Sequence, residues 1–231
     1  MELSISFQIG KNVYSLTPSV INSVIVVLAL VIFIFICYGK IKKTDYKARP
    51  SGLVSVLETL VTSIDSLIEQ TMGKNREGFA PYILSLMMFL LTANLMGLFG
   101  FKPPTSDLNV TLTLALITFV LIHYNKIKVN GLKDSIKGYF EPIFILFPIN
   151  IIGDIALPVS LSFRLFGNIV SGSLIMALVY AALGFVSNLL TPIVAPWFHI
   201  YFDVFSGVLQ TFIFAMITMI YIAMGMGQEE N

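Results

Sequence analysis

Long apolar runs alternate with short polar segments along this chain. The first apolar run extends from about Pro18 to Tyr38, the second from Phe79 to Phe101 and the third from Leu108 to Tyr124. From Pro142 to Leu190 the chain stays apolar with few breaks, and a last run covers about Ile200 to Met224. A bilayer core about 30 Å thick needs roughly 20 apolar residues to be crossed by a helix. The pattern therefore predicts about five transmembrane helices. The fourth run is too long for one upright helix, and predicts either a long tilted or bent helix or a helix with a re-entrant turn. Breaks are expected at Lys102 to Asp107, at 126–137, and from Thr191-Pro192 to Pro196-Trp197.

Residues 51–72 follow another rule. Leu53, Val56, Leu57, Leu60, Val61, Ile64, Leu67 and Ile68 recur at helical spacing, with Glu58, Thr62, Asp65 and Glu69 between them. This is an amphipathic helix, expected along the membrane surface or against a partner. Residues 1–16 are polar enough to lie outside the bilayer.

Composition agrees with this division. Hydrophobic residues make up 56% of the chain and charged residues 12%, about half the charged share of a soluble domain. The net charge of +1 gives no basic field for nucleic acid. The single cysteine, Cys37, excludes an intramolecular disulfide and reads as packing. Segments 40–49, 74–76 and 126–137 hold eleven of the fourteen Lys and Arg residues. With five spans, the positive-inside rule puts the N-terminus outside and the C-terminus in the cytoplasm. His199 reads as an interfacial histidine in preference to a proton relay, and Trp197 as an aromatic-belt residue.

One cation breaks the pattern. Arg164 is the only Lys or Arg from Ile143 to the C-terminus. A guanidinium in hydrocarbon costs at least about 3 kcal/mol and does not deprotonate. Its plain role would be to glue helices through a buried carboxylate. The alternative is a fixed charge in an ion path. Asn168 lies one turn beyond it on the same face, among small residues including Gly167, Gly172 and Ser173. Asp154 precedes it by about 15 Å of helix, on the inner side by the orientation above. Asp203 opens the last span in the outer half, and Gln210 lies about 10 Å deeper, near the level of Arg164. Both aspartates could equally be helix-start carboxylates.

These residues also carry a resemblance. Pro158-Val159-Ser160-Leu161-Ser162-Phe163-Arg164-Leu165-Phe166-Gly167-Asn168 resembles the arginine-bearing segment of ATP synthase subunit a. Pro104 to Thr111 is similar to that family's loop before the third span, and Leu209-Gln210-Thr211-Phe212-Ile213-Phe214 to its last helix. Order and spacing match over about residues 15–231.

The resemblance implies an all-α integral membrane protein forming one domain over 1–231, with residues 142–225 as a tilted helical hairpin facing a ring of c subunits. It implies a stator channel of an F-type ATP synthase in a bacterial plasma membrane, with two half-channels passing H⁺ or Na⁺. The partners implied are the c-ring, the b subunit of the stator and, through the complex, the F1 sector. Arg164 takes the place of the family's essential arginine, and Asn168 and Gln210 match polar positions near it. Ser173 stands where relatives often have an ionisable residue, Asp203 where they have that residue's partner, and Leu157 where a lysine is frequent. The expected ion-translocation residues are thus Arg164, Asn168, Gln210, Asp203, Ser173 and Asp154.

A secondary transporter using Arg164 to hold an anionic substrate is the competing reading, but no internal repeat is visible. An assembly scaffold would need no mid-membrane arginine. Neither a metal cluster, a nucleotide loop nor a nucleophile–histidine pair is legible. The chain alone is therefore not expected to be an enzyme or to bind a cofactor.

Overall fold

The computed structural model describes residues 5–9, 12–43, 52–141, 143–187 and 189–227. Lys47, Arg49, the start of the external segment at 1–4, and the C-terminal tail 228–231 lie outside them.

A short antiparallel hairpin comes first, β1 (Ile5–Ile9) paired with β2 (Asn12–Leu16), Ile5 opposite Leu16. The sequence reading placed no strand there. The rest is helical: α1 (Pro18–Lys43), α2 (Gly52–Met72), α3 (Ala80–Leu95), α4 (Leu108–Lys137), α5 (Phe147–Val186), α6 (Thr191–His199) and α7 (Ser206–Met226). Five stretches are long and apolar enough to cross a membrane: Pro18–Lys43, Glu77–Phe99, Leu108–Phe140, Phe144–Val186 and Thr191–Met226. The described chain is an all-α membrane protein apart from the small hairpin. Helices satisfy their own backbone groups, which lipid cannot do.

One expected break is narrowed to a single kink and another is absent. Lysines 126 and 128 lie within helix, because α4 continues past Tyr124 and bends only at Gly131 (φ 80°, ψ 160°), a conformation open to glycine. Thr191 to Trp197 is also helical. Pro192 sits in the first turn of α6, where its missing N–H costs nothing. The chain breaks instead just before, at extended Ser187. A stretch of π-helix, Ile200–Phe205, then joins α6 to α7.

The fourth apolar run is one helix. Its 40 residues are about 60 Å long, twice the bilayer core. Pro158 within it cannot donate to the carbonyl of Asp154.

Helix α7 is the hub. Phe214, Ala215, Met219 and Ile222 are buried against Ile64, Ile68 and Met72 of α2, Ile83, Leu86 and Leu90 of α3, Ala115 and Ile122 of α4, and Leu157, Leu161 and Leu165 of α5. Polar links hold this cluster together. Asn94 donates to the Gly207 carbonyl at 3.2 Å and accepts from Thr105 at 2.9 Å. Ser162 pairs with Thr111 at 3.0 Å, tying α5 to α4. At the far end of α7, Arg76 donates to the Gly227 carbonyl at 2.6 Å and Asn130 to that of Gly225 at 2.8 Å. Segment 74–76 and the middle of α4 therefore share one end of the molecule. Lys102 lies at the other, where its carbonyl accepts from Asn22 near the start of α1.

Candidate functional site

Helices α5 and α7 run antiparallel, and three contacts fix their register. Ser206 donates to Asn168 Oδ1 at 2.9 Å. A Cβ on Gly172 would stand 3.7 Å from that of Phe202. Further down, Gly153, Leu157 and Arg164 line a groove of about 360 Å³ with Ile217 and Tyr221. One turn below the Ser206–Asn168 bond, about 6 Å, Arg164 and Gln210 stand at the same level.

The two differ in burial. Gln210 is 6% exposed, and its Nε2 has no hydrogen-bond partner among the described residues. A buried amide left unbonded costs about 1–3 kcal/mol. Arg164 is exposed. Leu161, Ser162 and Leu165 face inward, with Ser162 bonded to α4, and this turns Arg164 to the outer surface. Above and below it on that surface lie Gly153, Ala156, Ser160, Gly167 and Ser171, all exposed and all small. Their spacing of three and four residues makes one strip along α5.

Arg164 forms no hydrogen bond or ion pair with any described residue. The two carboxylates expected near it are engaged elsewhere, each by one of the chain's two histidines. Asp154 Oδ2 lies 3.2 Å from His123 Nε2 and accepts a short hydrogen bond from Tyr139. His123 Nδ1 sits 2.9 Å from the Phe119 carbonyl, and Lys126 stands over the Tyr139 ring. Asp203 Oδ2 lies 2.5 Å from His199 Nδ1, one turn back. His199 Nε2 lies 2.8 Å from the Tyr180 hydroxyl. The helix-glue reading of Arg164 therefore has no partner in the described chain.

The six expected residues fall in four places. Arg164, Asn168 and Gln210 lie within about one turn of each other in level along the α5–α7 contact, Arg164 facing outward and Gln210 buried. Asp203 stands one turn above Gln210's neighbour Ser206, and Asp154 lies towards the start of α5. Ser173 is exposed, bonds only the Val170 carbonyl of its own helix and does not join Asp203. Sequence reasoning missed His123, Tyr139, Tyr180 and Ser206, and set His199 aside as interfacial. The one signal available was that His199 and Asp203 lie four residues apart, on one helical face.

Comparison with known proteins shows which family the chain is similar to. The family model described as ATP synthase A chain covers residues 20–223. A relative from Propionigenium modestum, named ATP synthase subunit a, sodium ion specific, is 34% identical over 97% of this chain and 80% of its own length. ATP synthase subunit a of Moorella thermoacetica is 33% identical, over 89% of this chain and 88% of its own. That of Anoxybacillus flavithermus is 33% identical over 91% and 93%. A match of this extent makes the chain a member of the ATP synthase A chain family.

Proposed function

We propose that this chain is the stator subunit through which an F-type ATP synthase passes ions to and from its rotating c-ring. The observation that carries the reading is Arg164, exposed at mid-helix and unpaired within the described chain. A membrane guanidinium needs a counter-charge, so a second chain must supply it. The strip of small residues around Arg164 would let a neighbouring helix come close to the guanidinium.

The ion would enter on the Asp203 side, bind a ring carboxylate and leave on the Asp154 side after a turn of the ring. Arg164 favours the ionised form of each passing carboxylate, because an opposite charge lowers its pKa. It also repels cations that would cross directly between the two sides. Gln210, whose buried amide nitrogen is unbonded, would have to turn outward to bond the same carboxylate. Asn168, held by Ser206, would keep α5 and α7 in register. Ser173 would line the outer side.

The 60 Å helix α5 and the rod from Thr191 to Met226 would lie as a tilted hairpin, since neither fits a core about 30 Å thick upright. The basic end, with Arg76 and Lys126, would face the cytoplasm and the N-terminal hairpin the outside. The b subunit and the F1 sector complete the complex, and this chain contributes no nucleotide chemistry.

Cross-linking tests the reading. A cysteine at Gly167, where a side chain meets open space, is introduced with Cys37→Ser. It should form a disulfide with a cysteine placed beside the ring carboxylate. Efficient cross-linking only to a non-ring subunit would overturn the proposal.

A further inference from the structure

Tyr180, His199 and Asp203 form an unbroken hydrogen-bonded line at the end of the molecule where α5 meets α6. The steps are 2.8 Å from the Tyr180 hydroxyl to His199 Nε2 and 2.5 Å from His199 Nδ1 to Asp203 Oδ2. Exposure falls along the line. Tyr180 is 43% exposed, the His199 side chain 30% and that of Asp203 22%. On its other side Asp203 meets Gly97, in the 3-10 turn that follows α3, where a Cβ would stand 3.7 Å from the carboxylate. His199 is the one titratable group bonded to Asp203 among the described residues. One turn further in lie Ser206 and Asn168, then the level of Arg164.

We infer that Tyr180, His199 and Asp203 are a proton wire forming the outer path, and that His199 restricts this path to protons. The inference rests on the conducting role proposed above. An ionised Asp203 only accepts, so the neutral His199 carries its proton on Nδ1 and leaves Nε2 facing Tyr180. A proton arriving from outside adds to Nε2 and makes the ring an imidazolium. The Nδ1 proton then passes to Asp203 Oδ2, which leaves a neutral ring with its proton on Nε2 and a neutral carboxylic acid. Asp203 hands its proton inward, and the partly exposed His199 ring releases its Nε2 proton to water and takes one from water on Nδ1, which restores the first tautomer. One proton enters, one leaves, and only N–H and O–H bonds change. Hard metal cations are held by oxygen ligands. A ring that occupies the line between two oxygens gives a sodium ion no continuous set of them.

The test uses the complete complex in liposomes, following ATP-driven acidification with a pH dye and ²²Na⁺ uptake in parallel. Native complex should acidify in sodium-free buffer and take up no ²²Na⁺. His199→Ala should slow acidification about tenfold or more, the range of a lost proton-transfer group. Added millimolar imidazole should restore it, which a merely structural defect would not allow. Tyr180→Phe should slow it about fivefold, the worth of one hydrogen bond. Sodium-dependent pumping, ²²Na⁺ uptake, a native rate in His199→Ala, or a loss that imidazole leaves unrepaired would each overturn the wire. Should His199→Ala fail to assemble, Tyr180→Phe decides, and a native rate there overturns it. Arg164→Ala separates the two claims. If it pumps normally the conducting role fails, whereas pumping by His199→Ala alone removes only the wire.

Discussion

Ser206 donates a hydrogen bond to the side-chain oxygen of Asn168 at 2.9 Å, and this bond sets α7 against α5 at the level just above Arg164. Removing it should loosen the pair without unfolding the chain, since one hydrogen bond contributes about 1 kcal/mol. Ser206→Ala is expected to lower ATP-driven pumping about fivefold at equal assembly. Ser206→Thr, which keeps the hydroxyl, should stay nearer to native.

Gly207 is set by space. A Cβ there would stand 3.2 Å from the Cβ of Asn94, while a Cβ on Gly167 meets nothing within 4 Å. Gly207→Val should cost about 1–3 kcal/mol through overpacking. It also disturbs the Asn94 bonds to Thr105 and to the Gly207 carbonyl. The melting temperature of the detergent-solubilised complex should fall for Gly207→Val and hold for Gly167→Ala.

At the other end of α5, Asp154 is bonded by both His123 and Tyr139. If this carboxylate releases ions to the cytoplasm, Asp154→Asn should slow turnover about tenfold or more. The slowing should appear in both synthesis and hydrolysis, while Tyr139→Phe, which removes one of two bonds, has a smaller effect. An unchanged rate in Asp154→Asn would leave the carboxylate a structural tie between α4 and α5.

Sidedness follows from the gathering of Arg76, Lys126 and Asn130 around the last turn of α7. Single cysteines at Glu69 and at Thr17 should react with a membrane-impermeant maleimide from the cytoplasmic and the outer face respectively. Glu69 reacting from outside would invert the topology.

Much of this architecture was legible in the chain, because lipid tolerates only helices of a given length and apolarity, and such runs are visible without a partner. Arg164 was legible for the same reason, as a charge where solvent gives none. The level shared by Arg164 and Gln210 could also be reckoned from helix rise. The bonding of the aspartates could not. Asp154 meets His123 from 31 residues away and Tyr180 reaches His199 from 19, and no local periodicity reports such pairs. The π-helical stretch at Ile200–Phe205 left no mark in the apolar pattern, and the helix through 126–130 is tied to α7 by the bond from Asn130 to Gly225. Local polarity suggested a loop there, and tertiary contact overrode it.

The most direct measurement is ATP-driven ion uptake by the complete complex, native against Arg164→Ala, at matched assembly and matched ATP hydrolysis. The account predicts that uptake falls to background in the variant while the complex still assembles, because the charge that meets the ring carboxylate and blocks direct leak is gone. Uptake at the native rate would contradict it, and would leave Arg164 a surface cation without a part in conduction.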